Sequence, residues 1–173
     1  MSDFFGRVTG DQDPIKKLAS YIPGFKGYIE RENRRAADKL LRDTVARRFE
    51  ELYKRLSALQ GDLISQGGIE YIDDLEKAAL QIRTFTDKIR NATYGYSGLF
   101  DAVKINEAEL AQIYTFDAAF FDLADQIRNA TDNVEATLGA PEGLPAAIRN
   151  LVTLARQTVS TYEQRYEIFN GSK

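Results

Sequence analysis

The feature that most constrains this chain is a run of seven apolar residues: Leu41, Val45, Phe49, Leu52, Leu56, Leu59 and Leu63. Their separations are 4, 4, 3, 4, 3 and 4 positions. This places all seven on one stripe of an α-helix, near the repeat of helices that pack along their length. A strand needs a period of two, so the segment buries its seam as a helix against other helices. Three more stripes follow. Ile72, Leu75, Ala79, Ile82, Phe85, Ile89 and Ala92 form one. Leu110, Ile113, Asp117, Phe120, Ala124, Ile127, Thr131, Val134 and Leu138 form the next, alternating strictly between 3 and 4. The last is Ile148, Leu151, Ala155, Val159, Tyr162, Tyr166 and Phe169.

Breakers set the boundaries. Asp13-Pro14 reads as an N-cap followed by proline at the first helical position. The short helix it opens stops at Ile22-Pro23-Gly24. The first long helix is predicted over about 26–65, ending at Gly67-Gly68, and the second over about 69–94. A linker with Gly95 and Gly98 follows, in which LFDAV forms one loose turn. Asn106 with Glu109 has the spacing of a reciprocal N-terminal cap. Gly139 and then Pro141 close the third helix, and Pro145 starts the fourth. The predicted fold is all-α: a long antiparallel four-helix bundle, up-down-up-down, with a short N-terminal helix. Residues 1–24 are leader and short helix, and 25–173 one helical domain. Short links at 66–68 and 139–144 force antiparallel neighbours, and 173 residues suffice to bury a core unaided.

Counting levels from the Gly67 turn brings residue 94 beside residue 40. Residues 26–38 then overhang the second helix by roughly 20 Å. The same end gathers Phe25, Tyr28, Tyr94, Tyr96, Phe100, Tyr114, Tyr162, Tyr166 and Phe169. These rings either close the bundle as a satellite core or form a binding end, since tyrosine suits interfaces. The binding reading takes Phe25, Tyr28, Arg31, Arg34, Arg35, Tyr94, Tyr96 and Phe100 as its surface. The basic run of Arg31, Arg34, Arg35, Lys39, Arg42, Arg47 and Arg48 is interleaved with Glu30, Glu32, Asp38 and Asp43. Its ordinary reading is a solvated helix face with i,i+4 pairs.

Chemistry is constrained mainly by what is missing. There is no cysteine and no histidine. Thiol catalysis, zinc-thiolate sites and the usual neutral-pH base are thereby excluded. A bundle di-iron centre needs two Glu-x-x-His pairs. Asp101, Glu107, Glu109, Asp117 and Asp122 lie toward one end, but only Asp117 points inward. No EF-hand, phosphate-binding glycine loop or nucleophile elbow is present. No catalytic set, cofactor or metal is expected.

Net charge is −3, split between +4 over residues 1–60 and −7 over the remainder. An acidic chain is a poor general ligand for nucleic acid. No apolar run spans a bilayer, and the N-terminus lacks a secretory core, so the expected location is cytoplasmic. Phe4 and Phe5, with the stripe Ile15, Leu18, Ala19 and Ile22 beside Lys16 and Lys17, could let residues 1–25 lie on a membrane surface.

Asp117 is the sharpest residue-level feature. It occupies a seam position between Ile113 and Phe120, so its carboxylate needs a partner. Level counting places it beside residues near 49, 86 and 166, with Arg48, Arg83, Tyr162, Arg165 or Tyr166 in reach. The functional expectation is a non-enzymatic helical scaffold that self-associates or binds a protein partner. The alternatives are a small-ligand binder or enzyme at the aromatic end, and membrane association through residues 1–25.

Overall fold

The computed structural model describes residues 14–30, 34–91, 107–140 and 142–170, with backbone alone at 34–35, 107–110 and 168–170. Every regular element among the described residues is helical. They are α1 (Pro14–Tyr21), α2 (Phe25–Glu30), α3 (Arg34–Ser65), a 3-10 turn (Ile69–Tyr71), α4 (Ile72–Asn91), α5 (Glu107–Thr137) and α6 (Leu144–Asn170). The long helix expected over 26–65 is thus described as two helices, with 31–33 between them outside the described residues. The helix expected to start at 69 opens instead with the 3-10 turn. Phe4, Phe5, Asp13, Tyr94, Tyr96, the LFDAV segment and Asn106 also lie outside the described residues.

Burial follows the apolar periodicity. All seven α3 seam residues are buried, as are Leu75, Ala79, Ile82, Phe85 and Ile89 of α4. In α5 the buried stripe runs through Ile113, Asp117, Phe120, Ala124, Ile127, Thr131 and Val134. The α6 stripe needs correction. Its buried positions are Ile148, Leu151, Ala155, Thr158 and Arg165, while Tyr166 is 57% exposed. The strict 3/4 rhythm continues through a threonine and an arginine, and following apolar residues alone shifts the face by one position. Buried hydroxyls are satisfied within their own helices: those of Thr86, Thr131 and Thr158 donate to the carbonyls of Ile82, Ile127 and Leu154.

Helix α3 packs on α4 and α5, and α6 packs on the same two. One aromatic level joins all four. Phe85 of α4 lies 4.5 Å from Phe49 of α3, 4.9 Å from Phe120 of α5 and 6.1 Å from Tyr162 of α6, ring centre to ring centre. The α3–α4 turn has its own geometry. Gly68 N–H donates to Leu63 O at 2.8 Å and Gly67 N–H to Ile64 O at 3.3 Å. Gly67 has φ of +82°. This double bond around a left-handed residue is the glycine helix stop.

The short helices cover the end where α3 and α5 begin. Helix α1 lies on α5 and α2 on α3. Leu18, Ile22 and Phe25 are wholly buried and belong to the same core as the long helices. Between them Ile22-Pro23-Gly24-Phe25 forms a turn closed by Phe25 N–H to Ile22 O at 3.2 Å. Proline stands at its second position and Gly24, with φ of +84°, at its third, the arrangement of a type II turn.

Candidate functional site

Extending the α3 seam backward from Val45 by 4 and then 3 positions passes Leu41 and reaches Asp38. Arg42 follows Asp38 by one turn on the same helix. One turn beyond the aromatic level, Phe120 gives way to Asp117 on α5 and Tyr162 to Arg165 on α6. Four charged side chains therefore enter the interior from three helices. Asp38 and Arg42 are each 6% exposed, and Asp117 and Arg165 each 1%.

They are paired. Arg165 grips Asp117 bidentately, Nε donating to Oδ1 at 2.6 Å and Nη2 to Oδ2 at 3.1 Å. Arg42 Nε donates to Asp38 Oδ2 at 2.8 Å. Burial dominates the titration of the cluster. It pushes the Asp38 carboxyl up to about 6, against the pull of Arg42 and Arg165. It raises Asp117 as well, with the Asp38 carboxylate adding to the effect and Arg42 opposing it. It lowers Arg165 to about 9, opposed by Asp38. The fork on Asp117 is the geometry of a charged pair, since guanidinium keeps its proton and its planar donors match a carboxylate. Near neutral pH two carboxylates and two guanidiniums balance.

Both Asp117 oxygens are taken by Arg165, and an arginine offers no lone pair as a base. Among the described residues no group of acidic side chains could hold a metal ion.

The partner of Asp117 is one of the five side chains named from the sequence; the other four lie elsewhere. Arg48 sits 3.9 Å from Asp125 and over the Tyr21 and Phe121 rings. Arg83 is exposed and lines an outer groove. Tyr162 packs on Phe85, and Tyr166 faces solvent. Asp117 lies about one turn from the level expected, because the Phe49–Phe85 pair meets Phe120 rather than Asp117. Asp38 and Arg42, assigned from sequence to a solvated face, are buried. Continuing the α3 seam backward would have found Asp38.

The described part of the aromatic end is packed in part, with Tyr166 turned to solvent. Phe25 meets Tyr114 edge-on at 5.9 Å, and Tyr28 packs half-buried on the core. Arg31, Tyr94, Tyr96 and Phe100 lie outside the described residues, as do the side chains of Arg34 and Arg35. The apolar residues of α1 and of the turn after it face inward: Leu18 and Ile22 are buried, with Ile15 against the core. Tyr21 stacks on Phe121 at 4.7 Å and donates to Asp125 at 3.1 Å, while Lys17 pairs with Asp122. The stripe suggested for a membrane surface is thus occupied by the protein's own interior. No described helix is long and apolar enough to cross a membrane.

Among the described residues, a groove of about 430 Å³ opens on the outside between α3 and α4 and another of about 170 Å³ between α3 and α5. Fold and site define an all-helical protein with a neutralised charge cluster inside one end. The chain matches no family model, no curated protein and no solved structure.

Proposed function

We propose that this chain is a non-enzymatic helical interaction protein, an up-down-up-down four-helix bundle with α1 strapped across one side, that self-associates or binds a protein partner. The observation carrying this reading is the quartet Asp38, Arg42, Asp117 and Arg165. The ionisable groups in the interior are spent on one another, which favours a rigid scaffold over a reaction centre. A register-fixing cluster in a core otherwise built from interchangeable leucines and phenylalanines suits a protein that must present one defined outer surface. A cytoplasmic setting belongs to the same reading and is compatible with a chain free of cysteine. Size-exclusion chromatography with light scattering tests it. The expected result is a mass above 19.5 kDa or a stoichiometric protein complex. A clean monomer that recovers no partner from lysate would count heavily against it.

A further inference from the structure

The two buried pairs are not equivalent. The Asp117–Arg165 fork joins α5 to α6 and engages both carboxylate oxygens. The Asp38–Arg42 pair lies within α3 and ties that helix to no other. Among the described residues Asp38 accepts one bond, at Oδ2, from Arg42 one turn along, yet its side chain is only 7% exposed. A buried carboxylate satisfied at one oxygen recovers little of the hydration it has given up.

Its place in the helix is also weak. Helix α3 begins at Arg34, so Asp38 stands in its second turn, and the first turn holds no acidic residue to favour the positive end of the helix dipole. Before Val45 the fully buried apolar residues of α3 are Ala37 and Leu41 alone. Lifting this end would hydrate Asp38 and Arg42 while leaving the fork between α5 and α6 closed.

Asp38 faces Arg42 on its own helix, Asp117 from α5 and Arg165 from α6. Tyr162 of α6 stands near Arg42. Charges on α2 and at the end of α4 are engaged outside the cluster: Lys26 with Glu30, Lys88 with Glu163 and Arg90 with Glu50. Two guanidiniums thus attract Asp38 and one carboxylate repels it. Burial outweighs the attraction and raises its carboxyl to about 6.

We propose that residues 36–44 of α3 form a proton-set catch, closed on α5 when Asp38 carries a proton and opening apart from the rest of the bundle as Asp38 ionises. The closed form holds the proton more tightly than the open one, where a hydrated Asp38 titrates near 3.8. Acid therefore favours the closed form, and opening grows as pH rises through 6. It uncovers Ala37 and Leu41 at one end while the fork keeps α5 and α6 in register. The catch goes beyond the self-association reading and stands or falls separately from it.

Native-state amide hydrogen exchange on the full chain, corrected for the intrinsic rate, tests it. Amides of residues 38–44 should exchange faster than the slowest amides of residues 49–63, through a local opening. That opening should grow about tenfold between about pH 5 and pH 8, and Asp38→Asn should abolish the growth. If residues 38–44 exchange no faster than the slowest amides, the end does not open by itself and the inference fails. A local opening that ignores pH, or one that grows equally in Asp38→Asn, overturns it as well. Should that variant not fold, the carboxyl carbon shift of Asp38 in the wild type decides: a midpoint near 6 supports the catch, and one at or below about 4 overturns it.

Discussion

Removing the Asp117 carboxylate leaves the Arg165 guanidinium buried without its bidentate acceptor. An uncompensated buried charge typically costs about 3–5 kcal/mol, so Asp117→Leu should lower stability by that amount in urea denaturation. Replacing both partners, Asp117→Leu with Arg165→Met, should restore most of the loss, because an apolar pair of similar volume owes no desolvation. Asp38 supplies a pH signature of unusual sign. Its carboxyl titrates near 6 in the folded chain, above the ordinary 3.8, so the native state holds a proton that the unfolded chain has released. The stability this group contributes is complete below about pH 4 and is lost as pH rises through 6. Measured against Asp38→Asn, the wild type should lose up to about 3 kcal/mol of relative stability over that window. The interior placement of Asp117 could be read directly, since an acid stood on an otherwise regular stripe. Asp38, Arg42 and Arg165 were harder to read as a cluster. Asp38 lies on the backward continuation of the α3 seam and Arg165 within reach of Asp117 by level, but Arg42 looks like a surface residue in its own helix, and only the meeting of three distant segments makes them a set.

Helix α1 is eight residues long, too short to persist in water by itself. Its stability comes from what it touches: Leu18 and Ile22 in the core, Tyr21 on Phe121, and the carboxylates of Asp122 and Asp125. Tyr21→Ala removes the stack, the hydrogen bond and the ring beneath Arg48, and should cost roughly 2–3 kcal/mol. Amide exchange should show the loss concentrated in residues 15–25, with the α3 and α4 interior still protected. The turn that follows depends on Gly24. A side chain there would meet nothing within 4 Å, yet φ of +84° remains unfavourable for any L residue. Gly24→Ala should therefore destabilise by about 1 kcal/mol through backbone strain alone, as chemical denaturation would measure. At this scale the periodicity and breakers were nearly sufficient. The buried α6 face lies one position from the apolar stripe at Thr158 and Arg165, because helix geometry and not side-chain polarity sets which positions face inward.

Across the whole molecule, the uneven charge of the sequence finds an internal use. The basic early segment pairs with the acidic α5: Lys17 with Asp122, Arg48 with Asp125, and Arg55 with both Asp132 and Glu135. The asymmetry was visible in the sequence, but its destination was not, because pairing across more than seventy residues depends on how the helices are arranged. These contacts are partly exposed, so each contributes little and salt screens it. Raising ionic strength should lower the unfolding free energy by no more than about 1–2 kcal/mol, well below the effect of Asp117→Leu. The interior quartet also shapes how the chain can change over generations. A single mutation that neutralises position 117 or 165 strands its partner, while an apolar pair at both lies two mutations away across that gap. The positions are therefore linked in inheritance though 48 residues apart. A library randomised at both, selected only for folding, should return few tolerated single changes and many paired ones. Lineages of this protein should accordingly switch there in matched steps, with long intervals of no change between them.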